Sequence, residues 1–146
     1  MFSLTESISI ARSPEEVFDF FTDGRNRPRW DTTVVFERLT SPEPVGVGST
    51  ITTRMRTMGR EMDFEWRVTE FDRPARTAIV STAGLVPTSA LFAFSAAGEG
   101  CHASATVEGR PTGMLRIVEP LIAESVRSTL AAGLLRARAL LEQRAV

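Results

Sequence analysis

Apolar and polar residues alternate along most of this chain, and the period changes in two places. Leu4, Ile8 and Ile10 fall on even positions with Ser and Thr on the odd ones, so the spacing predicts a strand over Phe2–Ile10 with one buried face. Ser13-Pro14-Glu15-Glu16 then carries helix-start signals: a capping serine, a proline suited to the first helical position and a glutamate placed for a capping box. Val17, Phe18, Phe20 and Phe21 supply the apolar side of a short helix that Gly24 ends. Arg25–Trp30 reads as a second short helical turn or loop closing on an aromatic residue.

From Val34 to Glu108 the period returns to two. Strands are expected at Val34–Thr40, Ser49–Thr57, Glu61–Phe71, Arg76–Thr82, Thr88–Ala96 and Cys101–Glu108, separated by Pro- and Gly-marked loops and a tight turn at Met58-Gly59-Arg60. Met62, Phe64, Trp66 and Val68 share one face; Glu61, Asp63, Glu65, Arg67 and Thr69 share the other, as in an antiparallel sheet with one wet face. The last period change is at the C-terminal end. Ile122, Val126, Leu130, Leu134, Ala137 and Leu141 recur every three or four residues, opposite Glu124, Arg127, Arg138 and Glu142. This predicts an amphipathic helix from about Pro120 to Gln143, roughly 36 Å long. The expected architecture is α+β: seven antiparallel strands, two short helices after the first strand, and a long C-terminal helix covering the apolar sheet face. A single domain over residues 1–146 accommodates all of it, with no internal repeat.

Composition narrows the chemistry. A net charge of −1 without a basic cluster argues against nucleic-acid partners. No apolar run is long enough for stable membrane insertion, and the N-terminal residues lack the pattern of a signal peptide. One cysteine suits a reducing compartment, so a cytoplasmic location is expected. All 17 basic residues are Arg, a composition expected of a GC-rich bacterial genome; without Lys or Tyr, Schiff-base lysine chemistry and tyrosine acid catalysis are excluded. His102 is the sole histidine and neighbours Cys101 on the opposite strand face, too thin an inventory for a zinc site. His102 reads as a surface strand residue or a residue of a pocket mouth; Cys101 reads as a small buried apolar residue. Gly46-x-Gly48 lacks the lysine, third glycine and following helix of a phosphate loop. Glu70 is in phase with Trp66 and Val68, unless a bulge near Phe71 turns it outward.

The run Ser7–Phe18, Arg29-Trp30-Asp31, the loop Val45-Gly46-Val47-Gly48, the strand end Val68–Pro74 and the long final helix together resemble the START-like (SRPBCC) helix-grip superfamily, in particular its polyketide cyclase/dehydrase-like subgroup. The resemblance covers essentially the whole chain. It implies a curved seven-stranded sheet gripping the last helix, with an apolar ligand cavity between them. On that fold Trp30, Met55, Met62, Phe64, Trp66, Phe92 and Phe94 are the expected pocket lining. Leu85 joins them from the loop Ala83–Pro87, which reads as a lid or a plain hairpin loop, and Ile122, Val126 and Leu130 join from the helix. The expected partner is a hydrophobic small molecule: a lipid, polyketide or aromatic metabolite. No cofactor or metal is expected. The function is then binding, with two alternatives: a polyketide cyclase or dehydratase that positions a reactive chain, or an interaction module without a ligand. Oligomeric state, monomer or homodimer, and catalytic residues are left open by the sequence. The Tyr that cyclases of this family are thought to use is absent.

Overall fold

In the computed structural model, which describes residues 1–57 and 59–143, the chain runs β1 (Phe2–Ile10), α1 (Pro14–Thr22), a 3-10 turn (Gly24–Asn26), α2 (Arg27–Trp30), β2 (Val34–Leu39), β3 (Thr50–Thr57), β4 (Arg60–Asp72), β5 (Arg76–Ala83), β6 (Thr88–Ala97), β7 (Gly100–Gly109), a 3-10 stretch (Gly113–Val118) and α3 (Glu119–Glu142). The expected turn at Met58–Arg60 includes Met58, which lies outside the described residues. The strands form one antiparallel sheet in the order β1-β7-β6-β5-β4-β3-β2. Consecutive hairpins carry β2 through β7, and β1 returns to pair with β7, with Ile10 opposite Cys101 and Leu4 opposite Val107.

Local chemistry starts each helix. Ser13 caps α1, its hydroxyl accepting from the Glu16 amide at 3.2 Å and donating to the Glu16 carboxylate at 3.3 Å. Asp23 caps the next turn by accepting from the Arg25 amide at 3.0 Å. Asn26, buried, donates its side-chain amide to the Phe20 carbonyl at 3.1 Å and so fixes α2 against the end of α1.

Bulges curl the sheet. The β2–β3 register shifts between Val34 and Phe36, and the β4–β5 register shifts twice, between Glu65 and Trp66 and between Val68 and Glu70. The Val68/Glu70 bulge decides the question that phase alone left open. Glu70 turns outward and accepts from Arg76 Nε at 2.7 Å, while Phe71 reaches the inner side and meets Phe18 edge-on at 5.1 Å. The inner faces of β1, β6 and β7 (Leu4, Ile8, Ile10, Phe94, Cys101, Ala103, Ala105) pack with Val17, Phe18, Phe20 and Phe21 of α1 and with Leu130, Leu134, Ala137 and Leu141 of α3 into the main core.

The long helix takes a more lateral position than full cover of the sheet requires. It packs against β1 and α2. Ile122 and Val126, expected to face the sheet, are half-buried, and buried residues begin only at Leu130. The inner surface of β3–β5 faces Phe21 and Trp30 of α1 and α2 instead, and the Ala83–Pro87 loop covers Phe64. In that loop Gly84 lies so close to the Phe64 ring that a Cβ would collide with it, and Val86 is buried.

Candidate functional site

A partly open cavity of about 60 Å³ lies between the inner sheet face and the α1–α2 segment. Its apolar wall is Phe21 and Trp30 from the helices, Val45 from the β2–β3 loop, and Ile51, Val68, Phe71, Ile79, Ala90 and Phe92 from the sheet. The aromatic side is a packed cluster: Phe21 stands edge-on to Trp30 at 5.1 Å and tilted over Phe92 at 5.4 Å.

One end of the cavity is charged. Arg27, in the first turn of α2, donates to Glu37 Oε1 of β2 at 3.1 Å and to Asp31 Oδ2 at 3.2 Å. Its guanidinium also lies 5.0 Å from the centre of the Trp30 ring. Burial acts to lower the Arg27 pKa, but the facing Glu37 and Asp31 carboxylates outweigh it and hold the group above its ordinary value. Asp31 Oδ1 accepts from the Thr33 amide and hydroxyl at 3.0 and 2.6 Å. Glu37 Oε1 also accepts from the fully buried Thr53 hydroxyl at 3.1 Å. Three groups in this network have unused capacity among the described residues. Arg27 Nε and Trp30 Nε1 are buried donors without a partner, and Glu37 Oε2, beside Gly24 and not sealed from solvent, accepts from no described group.

The expected lining residues divide in two. Trp30 and Phe92 border the cavity. Phe64 and Trp66 are buried on the inner face, stacked at 5.8 Å beneath the Ala83–Pro87 loop, and Trp66 Nε1 is a third buried donor without a partner. Phe94 and Leu130 are in the main core, Met55, Met62 and Leu85 are half-buried, and Ile122 and Val126 are half-buried on α3; none of these borders the cavity. The charged end escaped sequence reasoning because Arg27 and Glu37 sit in a helical turn and a bulged strand, where phase does not report the facing side. The sole available signal was Asp31 four residues after Arg27, a helical pairing distance.

Cys101 is 1% exposed, and burial pushes its thiol pKa up, so it is no nucleophile. His102 is exposed on the outer face. It borders a larger depression of about 520 Å³ between β1 and α3, with Glu6, Ser9, Leu135 and Arg138. That groove is open to solvent, with Glu6, Ser7 and Ser9 along β1 and Ala131, Leu134 and Leu135 along α3. Among the described residues no group of His, Cys, Asp and Glu is arranged to hold a metal ion. No helix among them is long and apolar enough to cross a membrane.

A curled antiparallel sheet, two short helices after its first strand and a long C-terminal helix define a START-like helix-grip protein. Solved structures agree on the fold. The protein TTHA0849 from Thermus thermophilus superposes with a TM-score of 0.85 at 15% identity, over 99% of this chain and 100% of that one. A START superfamily protein from Mycobacterium smegmatis gives 0.77 at 15% identity, over 98% and 99%. The di-domain aromatase/cyclase StfQ of the steffimycin biosynthetic pathway gives 0.79 at 12% identity, over 97% of this chain and 51% of that one. The chain belongs to the polyketide cyclase/dehydrase and lipid transport family, whose model matches residues 1–142. It is also 36% identical over 62 residues to uncharacterized proteins of Mycobacterium bovis and Mycobacterium tuberculosis, a match spanning 41% of this chain and 37% of the length of those curated relatives.

Proposed function

We propose that this protein binds a hydrophobic small molecule in the cavity between the sheet and the α1–α2 segment. The observation that carries the reading is a concave, partly open aromatic and aliphatic wall with a charged group at one end, the usual make-up of a small-molecule site. Family membership points the same way. The volume of about 60 Å³ is well below that of ligand sites in general, which run roughly 300–1,000 Å³, so binding widens it. The walls best able to give way are those whose lining side chains are only half-buried, Val45 of the β2–β3 loop and Ile51, Thr77 and Ile79 of the sheet. The absence of tyrosine and the single histidine, exposed on the outer face, favour binding over cyclisation of a polyketide chain. A cytoplasmic location and a single domain over residues 1–146 belong to this reading.

Trp30 and Trp66 are the only tryptophans and the chain has no tyrosine, so its emission reports these two buried indoles alone. Apolar aromatic and fatty ligands are expected to change that emission saturably and to raise the melting temperature, because a ligand that binds only the folded state stabilises it. Flat emission and melting across a broad panel would leave the cavity as a packing gap and favour an interaction module without a ligand.

A further inference from the structure

We propose that the charged end of the cavity selects a ligand whose apolar body ends in a hydroxyl group and rejects the same body ending in a carboxylate. This rests on the cavity-binding reading and adds its polarity. The first ground is a charge count. One guanidinium, Arg27, faces two carboxylates, Asp31 and Glu37, so the cluster carries one negative charge in excess. Arg29, the next cation along α2, points outward and donates to Asn26 Oδ1 at 2.8 Å, so it does not offset that charge. A ligand carboxylate would enter a poorly solvated site beside an uncompensated anion, where like charges repel far more than in water.

The second ground is the unused hydrogen-bonding capacity. Glu37 is nearly buried, its side chain 11% exposed, and only its Oε1 is engaged, by Arg27 and Thr53. Oε2, beside Gly24 and not sealed from solvent, is left to accept. Arg27 Nε and Trp30 Nε1, on residues bordering the same cavity, are sealed from water as it stands and are left to donate once binding widens it. A hydroxyl is the smallest neutral group that both donates and accepts. An ether only accepts, and an ionised carboxylate cannot satisfy Oε2 at all.

The test compares three ligands of one skeleton at neutral pH by calorimetry: phenylpropanol, phenylpropanoate and phenylpropyl methyl ether. The alcohol is expected to bind at least about tenfold tighter than either the carboxylate or the ether, the scale of one hydrogen bond to a charged acceptor. Glu37→Gln keeps an acceptor and removes the charge, so the preference for alcohol over carboxylate should shrink to within about threefold. If that variant fails to fold, the three-ligand comparison on the wild-type protein still decides. Phe92→Trp, which fills the cavity, should abolish binding of the alcohol. A carboxylate or an ether that binds the wild-type protein as tightly as the alcohol overturns the inference and leaves the cavity reading standing. Alcohol binding that survives Phe92→Trp places the ligand elsewhere and overturns both. Absence of binding by all three, with no change in melting temperature, also overturns both.

Discussion

The two halves of α3 share one apolar spacing and have opposite surroundings. From Leu130 to Leu141 the helix is clamped. Leu134 and Leu141 are 2% and 0% exposed, and the clamped end is fixed by Glu142, which accepts from the Ala11 amide at 2.8 Å while Arg12 donates to its carbonyl at 3.0 Å. From Glu119 to Thr129 no residue is buried. Leu121, with Met114 and Ile117 of the preceding 3-10 stretch, lies 71–84% exposed. This end is attached by surface ion pairs, Met1 to Glu119 and Arg127 to Glu6. An apolar stripe therefore states what a helix is able to bury; what it does bury depends on where the opposing surface ends.

Leu134→Ala or Leu141→Ala should break the clamp, costing roughly 2–5 kcal/mol in urea melts because a cavity remains in the main core. A loss under about 0.5 kcal/mol would make the two halves energetically alike. Arg27→Ala strands Glu37 and Asp31 beside the cavity and should cost about 3 kcal/mol, a partly discounted value for breaking a buried ion network because the Arg27 side chain is 19% exposed. Equal stability of that variant would show the charged end to be well solvated. Gly133→Ala probes the contact between the clamped half and the cavity wall. A Cβ there would fall 2.9 Å from the Trp30 ring and 3.0 Å from its carbonyl oxygen, so a cost of about 1–3 kcal/mol and a shift in tryptophan emission are expected.

Leu121→Ala, on the free half, should change stability by less than about 0.5 kcal/mol; a loss above about 2 kcal/mol would show that this end is core after all. The smallest effect concerns Asp19 of α1, whose carboxylate accepts from Arg73 Nε and a terminal guanidinium nitrogen, both at 2.8 Å. The hydrogen bond from Arg73 holds its pKa below 3.8, against a weaker opposing effect of burial. A lowered folded-state value means that the contribution is present above pH 3.8 and is lost as pH falls through the folded value. Asp19→Asn should therefore cost under about 1 kcal/mol at neutral pH, as for exposed ion pairs, and the difference should vanish in strong acid.

Periodicity reported the elements well, because burial on one face imposes it directly: β1, β4 and α3 are where alternation or the helical repeat placed them, to within a residue or two. The capping signals at Ser13–Glu16 likewise announced α1, since a cap acts within four residues of chain. Bulges are different. Nothing in the local pattern distinguishes Glu70 in phase with Trp66 from Glu70 turned out to Arg76; the extra residue is set by how β4 pairs with β5. The lateral seat of α3 on β1, and hence which of its apolar residues are core, depends on the curl of the whole sheet. The meeting of Arg27, Asp31, Glu37 and Thr53 joins a helical turn, its C-cap and two strands across 26 residues of chain. Local propensity determined which segments are helix and strand; the cavity and its charged end exist only because long-range pairing brought those segments to one place.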